Sequence, residues 1–204
     1  ASRPLGRIVV TGCGDSWFVG QAVRHALERL TGLPVEGAQA LDYAAYGAGA
    51  ADEGTLVLGL SSGGNTPAVM NALQAARARG AFAVGISNTP GSPVLQSFDA
   101  GLVVHATRKG WPTQASTSAM GLLVSLGFAL AAARGRSIDA DLAAGFASLP
   151  DRLDALASAL DGAMRAAAED LARASVVFFT GLGPNLATAN FGAAKVRELC
   201  PVHA

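Results

Sequence analysis

The stretch LVLGLSSGGNTPAVMNAL, residues 56–73, constrains the fold more than any other part of the chain. Leu56 to Leu60 is a short apolar run closed by small residues, the pattern of a strand buried on both faces. Asn65 or Thr66 suits a helix cap, and Pro67 suits a first helical position, where its missing N–H costs nothing. A strand, a small-residue loop and a helix start in that order make a cradle for an anion, because the unpaired N–H groups of the first turn point outward.

The same unit stands at the beginning of the chain. RIVVTG, residues 7–12, reads as a strand, and CGDSWFVGQAVRHALERLTG as a loop and helix with Val19, Val23, Ala26, Leu27 and Leu30 at helical spacing and Gly32 at its end. A brief second strand is expected near Val35, a fourth over 81–88 and a fifth over 100–106. A long helix of small residues follows, from about Ser116 to Arg134. Strands alternating with helices predict an α/β fold: a three-layer α/β/α, flavodoxin-like parallel sheet of order 2-1-3-4-5. In that order the topological switch falls between the first and third strands, which carry GCGDS and SSGGNT. The two anion loops are therefore expected side by side.

Beyond Gly135 the composition changes. Residues 1–136 are read as the first domain and 137–174 as an Ala/Leu-rich helical connection, divided at Pro150. Residues 175–204 then repeat the opening pattern, SVVFFTGLGPN against RIVVTGCGDS, and predict the start of a second, similar domain.

Fifteen basic and fifteen acidic side chains cancel, so no overall field attracts nucleic acid or an anionic membrane, and an anion must be held by local dipoles. Neither loop contains Lys or Arg, and the P-loop pattern G-x-x-x-x-G-K-[ST] is absent. Trp17 occupies the third glycine position of a dinucleotide fingerprint. What remains is a neutral cradle for one terminal phosphate, with Gly14, Ser16, Ser61, Ser62, Gly63, Asn65 and Thr66 as candidate ligands. The alternative for either loop alone is ordinary helix capping; their expected meeting favours a site. Cys13 and Cys200 have neither metal-ligand nor disulfide-framework spacing, which points to a reduced, cytoplasmic protein with no metal. ASRPLGR lacks the shape of a signal peptide, and no uninterrupted apolar run reaches the roughly 18 residues of a membrane span, so none is expected.

Taken together, GCGDS, SSGGNTPAVMNALQAARARGAFAVGISNTPGSPV and KVRELCPVHA resemble the sugar isomerase (SIS) domain family, and most of all its double-domain members such as the isomerase half of glucosamine-6-phosphate synthase. The resemblance implies a phosphorylated sugar as partner, no cofactor, and aldose–ketose isomerase activity on a hexose or amino-sugar 6-phosphate. In other members it implies non-catalytic sensing of a phosphosugar. By position, Ser16 matches the serine of the first phosphate loop, and Ser61, Ser62 and Thr66 match the second, S-x-S-G-x-T, with Gly63 in place of its second serine. WPTQA matches a loop that often reads V-A-S-T-K, so that Thr113 replaces a serine and Ala115 a lysine. Asp15 repels a phosphate and is expected to cap its helix or to face sugar hydroxyls. Lys195 and Glu198 match a K-x-x-E pair whose glutamate is the isomerase base.

The chemistry of that pair also stands on its own. Isomerisation moves a proton between C1 and C2 through an enediol, for which one carboxylate in reach of both carbons suffices. A Lys three residues earlier lies on the same helix face and can steady enediolate charge. The competing reading is a solvated surface ion pair. A nucleotide or flavin binder fits the sheet but not the loops. His25 and His105, the latter at the end of the fifth strand, are read as structural, and His203 has no assignable place. Small apolar residues over 116–133 and 155–174 predict a homodimer or higher homo-oligomer.

Overall fold

The computed structural model describes residues 4–107, 113–200 and 203–204. Five parallel strands form one sheet: β1 (Arg7–Gly12), β2 (Val35–Gln39), β3 (Thr55–Leu60), β4 (Phe82–Ser87) and β5 (Ala100–Val103), in the order β2-β1-β3-β4-β5. The expected order is observed. β1 lies between β2 and β3, with Val10 opposite Gly37 on one side and Leu58 on the other. All six residues of β3 are buried, as a central parallel strand covered on both faces requires.

Alternation along the strands feeds two cores. Ile8, Val10, Leu56, Leu58 and Leu60 face Val19, Val23 and Leu27 of α1 (Asp15–Thr31) and Leu123 of α5 (Thr113–Ala133). Val9 and Val57 face the opposite way, against Val69, Ala72 and Leu73 of α3 (Pro67–Arg77). The shorter α2 (Ala40–Asp42) and α4 (Pro93–Gln96) lie between strands, and Val94 of α4 is fully buried in that second core. α1 ends at Gly32, whose N–H donates to the Glu28 carbonyl, as read from the sequence.

Some expectations need correction. β5 stops at Val103, so His105 lies beyond the strand, exposed and with φ 60°. By length and composition alone, one stretch of α5, Gln114–Ala133 with mean hydropathy 1.6, is long and apolar enough to cross a membrane, although Ser116, Thr117, Ser118 and Ser125 interrupt its apolar run. It packs along α1, with Ala119 and Leu123 buried in the first core, while 22% of the apolar stretch as a whole is buried. Pro150 does divide the helical connection: α6 (Ala140–Ala147) stops and α7 (Leu149–Leu171) starts with the proline in its first turn.

Residues 175–180 form no strand. A lone parallel bridge joins Val176 to His203, and the Val177 N–H donates to the His203 carbonyl. A strand needs a neighbouring ladder, and the apolar side chain of Phe178 instead stands 88% exposed. The turn that follows nevertheless repeats the first one closely. Gly14 (φ 52°, ψ −126°) precedes α1, and Gly183 (φ 59°, ψ −130°) precedes α8 (Pro184–Leu199), a backbone conformation that disfavours side chains. A Cβ at Gly12 would strike Ser16, and one at Gly181 would strike Asn185, four residues on in each case.

Candidate functional site

The carboxyl ends of β1, β3 and β4 open into a cavity of about 110 Å³ lined by Asp15, Ser16, Ser61, Ser62, Ser87, Asn88, Ala115 and Ser116, with Val19, Leu60 and Ile86 below. This is the switch point between β1 and β3, where sheets of this order take their ligands.

The second loop is held by its own hydroxyls. The buried Ser61 Oγ accepts from the Gly64 N–H at 3.0 Å and shares a 2.8 Å hydrogen bond with Thr66 Oγ1. Thr66 therefore reaches Ser61 instead of capping α3, for which it makes no side-chain bond. Ser87 Oγ donates to the Ser62 carbonyl (3.1 Å) and accepts from the Thr89 N–H (3.0 Å), tying the loop to β4. Asn88 bonds the Ala106 backbone twice, through Nδ2 at 3.0 Å and Oδ1 at 2.8 Å. Gly64 closes the turn with φ 78°, and its carbonyl accepts from the Val94 N–H.

The structure thus brings Asp15, Ser16, Ser61 and Ser62 to one cavity, while Gly14, Gly63, Asn65 and Thr66 shape the loops without lining it. Thr113 opens α5, but its side chain lies outside the described residues. Sequence reasoning missed Ser87, Asn88, Ser116 and Gly64. A signal for Ser87 and Asn88 existed: Ser87 ends an apolar strand and Asn88 follows it, on the ligand side of a parallel sheet. Trp17, which argued against a dinucleotide loop, sends its Nε1–H to the Gly37 carbonyl on β2.

The expected neutral cradle has a cation at its edge. Lys195, on α8, places Nζ 2.8 Å from Asp15 Oδ2 and 2.7 Å from Glu198 Oε2. Its ammonium also lies 5.2 Å from the Phe191 ring centroid. Burial alone would lower its pKa, but hydrogen bonds and attraction from Asp15 and Glu198 outweigh it, so the pKa rises above the ordinary lysine value. With the folded value raised, the pairing's stabilisation is complete at neutral pH and is lost only as pH rises through that value. Gly14 stands at the N-cap of α1, and among the described residues no side-chain hydrogen bond caps that helix; Asp15 turns to Lys195 instead. Glu198 is 53% exposed on its side chain and does not line the cavity; its connection to the cradle runs through Lys195. His25 is exposed on α1, 3.3 Å from Glu28, and neither it nor His105 or His203 lines the cavity.

The SIS domain family matches residues 3–133. A glutamine–fructose-6-phosphate aminotransferase (isomerizing) from Symbiobacterium thermophilum is 32% identical over 212 residues, covering 99% of this chain and 34% of the relative. The chain therefore spans about a third of the length of the curated relatives it matches. Among solved structures, the C-terminal domain of glucosamine-fructose-6-phosphate aminotransferase from Francisella tularensis superposes with a TM-score of 0.82 at 21% identity, covering 98% of this chain and 58% of that one. The tagatose-6-phosphate ketose/aldose isomerase of Escherichia coli superposes at 0.69 and 18% identity, covering 97% and 54%. With residues 3–133 matched, more than half of its length, the chain belongs to the SIS domain family.

Proposed function

We propose that the chain binds a phosphorylated sugar between GCGDS and SSGGNT and acts as an aldose–ketose isomerase on a hexose or amino-sugar 6-phosphate. The observation that carries this reading is the convergence of Ser16, Ser61, Ser62, Ser87 and Ser116 on one cavity at the switch point. Hydroxyls and loop N–H groups hold the phosphate there, and no cofactor enters the scheme. Glu198 takes the proton from one sugar carbon and returns it to the next through an enediol, while the Lys195 ammonium steadies the negative charge that develops. The cytoplasm is the compartment that suits such a substrate, and residues 175–204 are read as opening a second unit of the same kind, a reading that the matching Gly14 and Gly183 turns support.

The test is a melting comparison with fructose 6-phosphate, glucosamine 6-phosphate and the same sugars without phosphate. A ligand at one hundred times its dissociation constant stabilises by about 2.7 kcal/mol. A shift with the phosphorylated sugars alone is the expected result; equal shifts with the free sugars would reject the phosphate cradle. A non-catalytic phosphosugar sensor is the second reading, favoured by the exposure of Glu198 and by Gly63 and Ala115 standing where the family pattern has a serine and a lysine.

Self-association is part of the same reading. Leu149, Leu153, Leu156, Leu160 and Met164 form an exposed apolar stripe along α7, between 38% and 56% accessible. Size-exclusion chromatography with light scattering should give a dimer or larger; a single-chain mass at micromolar concentration would remove the expectation.

A further inference from the structure

A carboxylate in an anion cradle opposes binding, so Asp15 needs a use other than holding phosphate. It lines the cavity beside Ser16, and its ion-pair partner is Lys195, at the other end of the chain. This pair is the most sheltered of the ion pairs among the described residues: the two side chains are 18% and 25% exposed, against 66% and 47% for Arg29–Asp139 and 76% and 62% for Arg165–Asp161. Lower exposure means less screening and a firmer orientation. Lys195 has three donors, of which one goes to Asp15 and one to Glu198, with Phe191 alongside. The neighbouring contact between the same helices, Asn190 Nδ2 to Gln21 Oε1 at 3.3 Å, is uncharged and longer.

We infer that Asp15 is a positioning residue: across the α1–α8 contact it holds Lys195, and through Lys195 the Glu198 carboxylate, at the edge of the phosphate cradle. The inference rests on the isomerase reading above. Its signature is a pair of opposite effects from one residue. Asp15→Asn removes a like charge from beside the phosphate, and removes the anchor that orients the proton-transferring pair.

The experiment measures fructose 6-phosphate affinity by calorimetry and exchange of the sugar's carbon-bound proton with deuterium oxide by NMR, on the wild-type chain, Asp15→Asn and Asp15→Glu. Asp15→Asn should tighten binding by about fivefold, the Coulomb energy of a unit charge pair at close range in water. The same variant should slow proton exchange by about ten- to a hundredfold, the cost of a misplaced catalytic group. Asp15→Glu should recover much of the exchange rate. A residue that merely supported the fold would worsen both quantities, and one that bound sugar hydroxyls would weaken affinity; either outcome overturns the inference. If the wild-type chain exchanges no carbon-bound proton, the isomerase reading fails separately. The anchoring is then read by hydrogen–deuterium exchange over residues 191–199 of α8, which Asp15→Asn must accelerate and Asp15→Glu must not. Unchanged protection in Asp15→Asn would overturn it.

Discussion

Glu198→Gln should lower the rate of aldose–ketose interconversion by about 10²- to 10⁴-fold, the usual contribution of a positioned general base. The amide keeps the shape of the carboxylate but cannot take a proton. Binding should survive, because Glu198 lies outside the cavity wall and the serine-lined loops do not depend on it. The fold should survive as well: Lys195 keeps Asp15 as partner, and an exposed ion pair such as Lys195–Glu198 contributes at most about 1 kcal/mol. Initial rates with fructose 6-phosphate, together with its dissociation constant from calorimetry, separate the possibilities. Unchanged turnover would move the proton transfer to another group. Binding without turnover in either protein would select the sensor reading.

Gly64→Ala should damage both stability and binding. Its φ of 78° lies in the left-handed region, which costs an L-residue roughly 1–2 kcal/mol. An added Cβ would also collide with Ser92 Oγ and Cβ and press on Ser87 Oγ, the hydroxyl that ties β4 to the Ser62 carbonyl. Forcing a methyl into so closed a place costs about 1–3 kcal/mol more. A total near 2–5 kcal/mol lowers the melting temperature of a chain of this size by roughly 5–15 °C. Because the Gly64 N–H donates to Ser61 Oγ, the same change displaces a cavity serine, so the phosphosugar-dependent shift should vanish even at temperatures where the variant is folded. An intact ligand response in Gly64→Ala would mean that the Ser61–Thr66 turn does not hold the phosphate. Gly63→Ala is the control: its Cβ meets nothing nearer than Asn65 Oδ1 at 3.6 Å, and little change is expected.

The two substitutions bear on features of different legibility. Gly64 sits in a loop whose position was readable, because an apolar run, small residues and Asn65-Thr66-Pro67 carry strand, turn and helix start in consecutive residues. Which of two adjacent glycines takes the left-handed conformation was not readable. That depends on Ser87 and Ser92, which approach from β4 and the loop before α4. Glu198 shows the converse. Its K-x-x-E spacing put Lys195 and Glu198 together on one helix face, and the 2.7 Å contact is there. Whether that face meets solvent or a ligand cavity is set by how α8 packs on α1, and no local pattern records it.

The same division runs through the whole chain. Strand and helix order, the helix end at Gly32 and the break at Pro150 follow from periodicity and from residues that restrict the backbone, which are short-range effects. The 2-1-3-4-5 sheet is a long-range pairing, legible because strands alternating with helices favour few parallel topologies, and the meeting of two anion loops at the switch point follows from it. The cation beside Asp15, the Ser87 and Asn88 bonds under the second loop, and the absence among the described residues of a ladder for residues 175–180 came from long-range packing. Each depends on what distant segments place alongside. An ion pair between opposite ends of the chain, or a strand that needs a neighbour, leaves no periodic trace in the residues that form it.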